Sequence, residues 1–149
     1  MGAPDKPQSL LLYESYQQVR ISDLTYPQFL NILNLYPSIL ICMSDGILDK
    51  EEHEHLMGVA KNLTIYADEV TDRSRLEITY QKELMYLLEN PEIWEKEFLE
   101  ALRDHLSGPE GDKEFVLESM YLFANAANGI SEVERNRIES ISDQLGLAF

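Results

Sequence analysis

The stretch that decides the fold is Met43-Ser44-Asp45-Gly46-Ile47-Leu48-Asp49-Lys50-Glu51-Glu52. An apolar segment ends where it starts, and the Asp45-Gly46 pair is typical of a turn. Asp49 then stands three residues before Glu52, which is the spacing of an N-cap and its capping-box partner at the beginning of a helix. The stretch therefore predicts two helices joined by a short turn.

A weaker copy of this pattern lies near the other end of the chain, at Ala126-Ala127-Asn128-Gly129-Ile130-Ser131-Glu132-Val133-Glu134. An offset of 82 residues places Ser131 on Asp49 and Glu134 on Glu52, whereas the two turns align at an offset of 83. The second turn is therefore expected to be one residue shorter. A helix pair that recurs once indicates an internal pseudo-twofold repeat, with halves at about 27–63 and 112–146. The alternative is that two amphipathic helices align by their period alone.

The rest of the chain shows helical spacing of its apolar residues and no strand alternation of useful length. We expect residues 1–7 to form a flexible N-terminus and residues 8–149 to form one all-α domain, a bundle of about seven helices. The length of 149 residues suits a single domain with a sizeable core.

Caps and prolines predict several helix boundaries. Thr25 begins a capping box before a strongly apolar helix, and Pro37 is expected to kink or break that helix. Asn90 should end one helix and cap the next, and Asp112 should cap another. Gly146 is a natural C-cap for the last helix.

The charge is strongly negative, because 27 Asp and Glu against 12 Lys and Arg give a formal net charge of -15. Nucleic acid and anionic membrane surfaces would be repelled, since unaided binding to either needs a basic surface. The partners that this charge favours are cations and proteins with a basic surface. The alternative is that the acidity only maintains solubility.

Cys42 is the single cysteine, so no intrachain disulfide can form, and its apolar surroundings suit a buried thiol. The sequence shows no charged leader followed by an apolar stretch, and no apolar run as long as a membrane-spanning helix. We therefore expect a cytoplasmic protein without membrane insertion. The sequence does not indicate an oligomeric state.

An EF-hand calcium loop is the first hypothesis for the Asp-Gly turn. Gly46 and Glu52 fit its positions 6 and 12, but Ile41 and Met43 then fall on positions 1 and 3, where oxygen ligands are required. The EF-hand is thereby excluded, and a local group of oxygen ligands remains.

This group is the candidate cation site: Asp45, Asp49 and Glu52 in the first copy, with Asn128 and Glu134 in the second. If the two copies face each other, their oxygen atoms would suit a hard divalent cation such as calcium or magnesium. The alternative is that Glu52 and Glu134 are only the capping-box partners of two helix starts.

The pattern of Asp45-Gly46, Asp49 and Glu52, repeated by Asn128-Gly129, Ser131 and Glu134, resembles the TerB-like superfamily. That superfamily includes tellurite-resistance proteins and the N-terminal domain of a membrane-anchored DnaJ-like chaperone. The resemblance implies an all-helical, pseudo-twofold acidic domain that is suspected of binding metal ions, is linked to stress responses and has no established enzymatic activity. Asn128 departs from the family pattern, which has an aspartate there.

Two other functions stay open beside a non-enzymatic binding module. Glu52 and His55 form one Glu-x-x-His, the spacing that di-iron bundles use, so a metal-dependent enzyme is one alternative. Such a site needs a second copy, and the repeat has Arg137 in place of His55. A protein-interaction scaffold without metal is the other alternative.

Overall fold

A computed structural model describes residues 6–43, 50–66, 72–109, 111–125 and 130–147. Within these ranges the chain forms seven α-helices, a short 3₁₀ helix at Thr64–Tyr66 and no strand, which confirms the all-α prediction. The helices are α1 (Gln8–Val19), α2 (Tyr26–Cys42), α3 (Lys50–Leu63), α4 (Arg73–Glu89), α5 (Glu95–Leu106), α6 (Lys113–Ala124) and α7 (Glu132–Leu145).

Helix α2 is the centre of the bundle. It begins with the predicted capping box, in which the Thr25 N–H donates to Gln28 Oε1 at 2.9 Å and the Gln28 N–H donates to Thr25 Oγ1. Of the two outcomes expected at Pro37, a kink or a break, the break does not occur, and α2 continues through Pro37 to Cys42. Every residue from 35 to 42 is buried, and we attribute the continuity to this packing, which outweighs the roughly 3 kcal/mol cost of an internal proline.

Helices α3 and α7 lie beside a central pair. Helix α2 packs most extensively on α6, while α3 packs on α6 and α7 packs on both α2 and α6. Both outer helices have 14 residues, and both of their ends differ by the same offset of 82. The connections at 43–49 and 125–131 are also equal, at seven residues each. The helix boundaries therefore do not show the expected shortening of the second turn, whose inner residues lie outside the described ranges.

Other boundaries follow the sequence with one exception. Asp112 caps α6 by accepting the Phe115 N–H at 3.0 Å, and Gly146 ends α7 in the left-handed conformation with φ of 69°. Asn90 ends α4 but does not cap α5, because residues 91–94 form a turn and α5 starts only after Trp94. The prediction of a second cap at Asn90 was wrong.

Aromatic side chains fill the space between α1, α2 and α5. The rings of Tyr16, Phe29, Trp94 and Phe98 contact one another with centroid distances from 5.3 to 5.9 Å. Rings at such distances pack in tilted or edge-to-face arrangements and contribute beyond the area that they bury. This cluster fastens the first helix to the middle of the bundle. None of the described helices has the length and apolar character needed to cross a membrane.

Candidate functional site

Two of the five predicted cation ligands belong to the described part of the chain. Glu52 and Glu134 lie in the first turns of α3 and α7, and they are only 4% and 8% exposed. Asp45, Asp49 and Asn128 lie outside the described residues. The structure thus gives the burial of one predicted ligand from each copy.

Glu134 is the partner of Ser131 in a complete capping box. The Ser131 N–H donates to Glu134 Oε1 at 3.0 Å, and the Glu134 N–H donates to Ser131 Oγ at 3.1 Å. The capping interpretation of Glu134 is therefore confirmed. A carboxylate here also benefits from the partial positive charge of the helix N-terminus.

Glu52 occupies the equivalent position of α3, and its expected capping partner Asp49 lies outside the described ranges. Helix α3 packs on α4 and α6, whereas α7 packs on α5, α6 and α2. A site shared by the two glutamates would need residues from the segments 44–49 and 126–129, which precede these helices in the sequence and lie outside the described ranges. Within the ranges that the structure describes, no group of three or more His, Cys, Asp or Glu side chains is placed to hold a metal ion.

His55, the residue of the alternative enzyme site, packs against the core. Its ring meets the ring of Phe123 edge to face, with 4.5 Å between the centroids, and burial lowers the pKa of the imidazole. Arg137, at the equivalent position of α7, pairs with Glu95 of α5. The two copies therefore use this position differently, one for apolar packing and one for an ion pair between helices.

A buried polar network that the sequence did not indicate joins α1 to α4. Glu83 is 4% exposed and accepts three hydrogen bonds: from the Tyr16 hydroxyl at 2.8 Å, and from Arg20 Nε and Nη2 at 3.1 and 3.0 Å. The Arg20 guanidinium also lies 4.2 Å from the centroid of the Tyr86 ring. A buried carboxylate needs hydrogen-bond donors, and a bidentate pair with an arginine is among the strongest interactions that a protein offers it.

Burial and the neighbouring Glu83 carboxylate raise the pKa of the Tyr16 hydroxyl above its usual range, and the hydrogen bond to Glu83 raises the pKa of Arg20. Tyr16 therefore stays protonated and donates, while Arg20 stays charged. One signal in the sequence could have revealed the network: Glu83 stands on the apolar face of α4, between Tyr80 and Leu87. The network joins α1 to α4, and the hydrogen bonds to Glu83 come from Tyr16 and Arg20, the other members of the network.

These features define an all-α protein with a central helix pair, two outer helices of equal length and a buried glutamate at the start of each. The sequence matches no family model, and neither a curated protein nor a solved structure matches it. The TerB-like assignment therefore stays a prediction that rests on the two motifs.

Proposed function

We propose that the chain is a TerB-like, non-enzymatic acidic module that binds a divalent cation, calcium or magnesium, at its paired turns. The observation that carries this proposal is the burial of Glu52 and Glu134 at the same position of two helices of equal length. The capping box already supplies a donor to the Glu134 carboxylate, and a cation would add to the compensation that a buried carboxylate needs.

The placement of the outer helices also supports the proposal. Both α3 and α7 pack on α6, and α7 packs on α2 as well, so both of the helices that begin with a buried glutamate border the central pair. The oxygen ligands predicted on the preceding turns, Asp45, Asp49 and Asn128, are of the type that calcium and magnesium prefer. The net charge of -15 adds a general attraction for cations.

The test is a thermal melt with and without each ion at matched ionic strength. An ion present at about 100 times its dissociation constant stabilises the folded state by about 2.7 kcal/mol, which corresponds to a rise of about 5–10 °C in the melting temperature. We expect this rise in the parent chain and its loss in Glu52→Gln and in Glu134→Gln.

Glu134→Gln separates cation binding from helix capping. Gln28 already serves at the equivalent position of the α2 capping box, so a glutamine at 134 keeps the cap and removes only the charge. The exposed Glu118→Gln changes the net charge equally and is the matched control. A melting temperature that neither ion shifts, or an equal shift in all variants, would contradict the proposal.

A second candidate, binding to a protein with a basic surface, is favoured by the exposed face of α6. Phe115 and Leu122 are two turns apart on this helix and are 41% and 61% exposed, with the exposed Glu114 and Glu118 beside them. An apolar pair among carboxylates suits a basic amphipathic helix.

The second candidate is tested by titrating a helical peptide with leucines at positions i and i+7 and flanking lysines. We expect Leu122→Asn to weaken binding, while Ile21→Asn, which changes another exposed apolar side chain in the α1–α2 connection, leaves it unchanged. Equal affinity of Leu122→Asn and the parent chain would exclude α6 as the docking face.

A further inference from the structure

Helix α4 exposes a short stripe of mixed character. Ile78, Lys82 and Met85 follow one another at intervals of four and three residues, which places them on one face of the helix. Ile78 is 51% exposed, Lys82 is exposed and Met85 is half-buried. Lys82 forms no ion pair with any described residue. On a chain with a net charge of -15, this stripe is an apolar surface with a basic centre.

The exposed face of α6 has the opposite charge pattern. Phe115, Glu118 and Leu122 stand at intervals of three and four residues, and all three are exposed. Glu118, like Lys82, has no ion-pair partner in the described part of the chain. Each stripe runs from a residue i to residue i+7, or about 10 Å along the helix. The two stripes are therefore equal in length and opposite in charge.

The spacing of the two stripes matches when the helices lie antiparallel. Read backwards, the α4 stripe has intervals of three and then four residues, which are those of the α6 stripe read forwards. The facing pairs are then Met85 with Phe115, Lys82 with Glu118, and Ile78 with Leu122. A parallel arrangement would displace the lysine from the glutamate by one residue, which is about 100° around the helix. Charge and spacing thus agree in the antiparallel orientation.

A cleft of about 400 Å³ lies beside Met85, and its lining includes Met57, Lys82 and Tyr86. Methionine sulfur atoms make favourable contacts with aromatic rings, and a buried aromatic side chain is a typical anchor of a protein interface. In the antiparallel register Phe115 is the residue that faces this cleft. The α4 face therefore offers a place for the phenyl ring as well as a partner for the carboxylate.

We propose that the partner of the α6 face is a second copy of this chain, which docks through its α4 face in an antiparallel helix pair. The proposal rests on α6 being a docking face, as in the second candidate function, and it supplies the basic amphipathic helix that this face fits. It does not depend on the cation site. Because the two faces differ, the contact is head-to-tail, and each copy offers one face of each kind.

Charge reversal tests the proposal in sedimentation equilibrium runs on the whole chain over a range of concentrations. Physiological ionic strength suits the measurement, because it screens the mutual repulsion of two acidic chains beyond about 8 Å. We expect the average mass of the parent chain to rise with concentration. Lys82→Glu and Glu118→Lys should each raise the dissociation constant about tenfold or more, because each places like charges opposite one another.

An equal mixture of Lys82→Glu and Glu118→Lys should associate again about as tightly as the parent chain. In the mixture every contact between unlike chains joins one lysine to one glutamate, whereas neither variant can form such a contact with itself. Matched controls lie on α5: Lys96→Glu and Glu100→Lys make the same changes of charge at exposed positions. These controls should keep the parent's dissociation constant within about twofold.

The apolar pairs are tested in the same way. Leu122→Asn should weaken self-association, whereas Leu11→Asn, which changes an exposed apolar side chain of α1, should not. A parent chain that stays monomeric at every concentration overturns the proposal, as does a mixture that associates no better than its components. If the chain stays monomeric but the lysine-flanked peptide still binds α6, the docking face stands and its occupant is another protein. If neither associates, the docking face itself is excluded.

Discussion

The buried pair of Arg20 and Glu83 should stabilise the fold far more than an exposed pair with the same shortest contact distance. In both Arg20–Glu83 and Arg75–Asp23 the shortest contact is 3.0 Å from Nη2 to a carboxylate oxygen. The Glu83 side chain is 6% exposed and that of Arg20 is 33% exposed, whereas the side chains of Arg75 and Asp23 are 73% and 67% exposed. The two pairs therefore differ in burial and in the second hydrogen bond, which Arg20 Nε donates to Glu83.

Arg20→Met removes the cation and leaves Glu83 with the Tyr16 hydroxyl as its one described hydrogen-bond donor. Losing one member of a buried pair typically costs 3–5 kcal/mol, and the partial exposure of Arg20 reduces this to about 2–4 kcal/mol. Arg75→Met should cost about 0–1 kcal/mol. In urea titrations with an m-value of about 2 kcal/mol/M, the first change lowers the unfolding midpoint by about 1–2 M.

A double-mutant cycle completes the assay. Glu83→Leu together with Arg20→Met replaces the pair by apolar side chains, and we expect the double variant to recover much of the stability lost by Arg20→Met alone. The reasoning is refuted if Arg20→Met costs no more than Arg75→Met, or if the two single changes simply add.

Three further predictions concern protonation and the backbone. Because the pKa of His55 is lowered by burial, protonation favours the unfolded chain, so stability should fall as the pH drops through about 6.5. This fall should shrink in His55→Leu and not in His53→Leu, as measured by urea titrations at several pH values. Gly146→Ala should lower the free energy of unfolding by about 1–2 kcal/mol, because Gly146 has a positive φ. Gly58→Ala should raise it by about 0.5–1 kcal/mol, because Gly58 lies on an exposed helical site with open space around it. Equal effects of the two substitutions would refute this backbone explanation. Burial raises the pKa of three tyrosines, Tyr16, Tyr36 and Tyr80, so stability should be lost as the pH rises above about 10. In an alkaline ultraviolet titration these three tyrosines should ionise only as the chain unfolds.

Three helix starts were predictable because they depend on a few neighbouring residues. The capping boxes at Thr25 and Ser131 and the cap at Asp112 are local hydrogen-bond patterns, so three or four letters of sequence specify them. Pro37 was not predictable in the same way. Whether an internal proline breaks a helix depends on how tightly the helix is packed by segments far along the chain.

Contacts between distant segments also decide which face of each helix is buried and how the polar network around Glu83 forms. Leu122 reads as part of an apolar helix, but α6 turns Val116, Met120 and Phe123 toward the core and leaves Leu122 in solvent. A helix with apolar residues nearly all round does not reveal which stripe is covered. Arg20 stands 63 positions before its partner Glu83, so no local spacing in the sequence connects the two residues.

The pairing of α2 with α6 has a consequence for synthesis. Helix α2 ends at residue 42 and its main partner ends at residue 124, so the ribosome adds 82 residues between them. At about 5–20 residues per second, α6, which covers the apolar helix α2, is synthesised about 4 to 16 s after α2. A nascent chain of this protein therefore passes through a long interval in which a chaperone can bind α2, and truncation before α6 should yield a chain that aggregates.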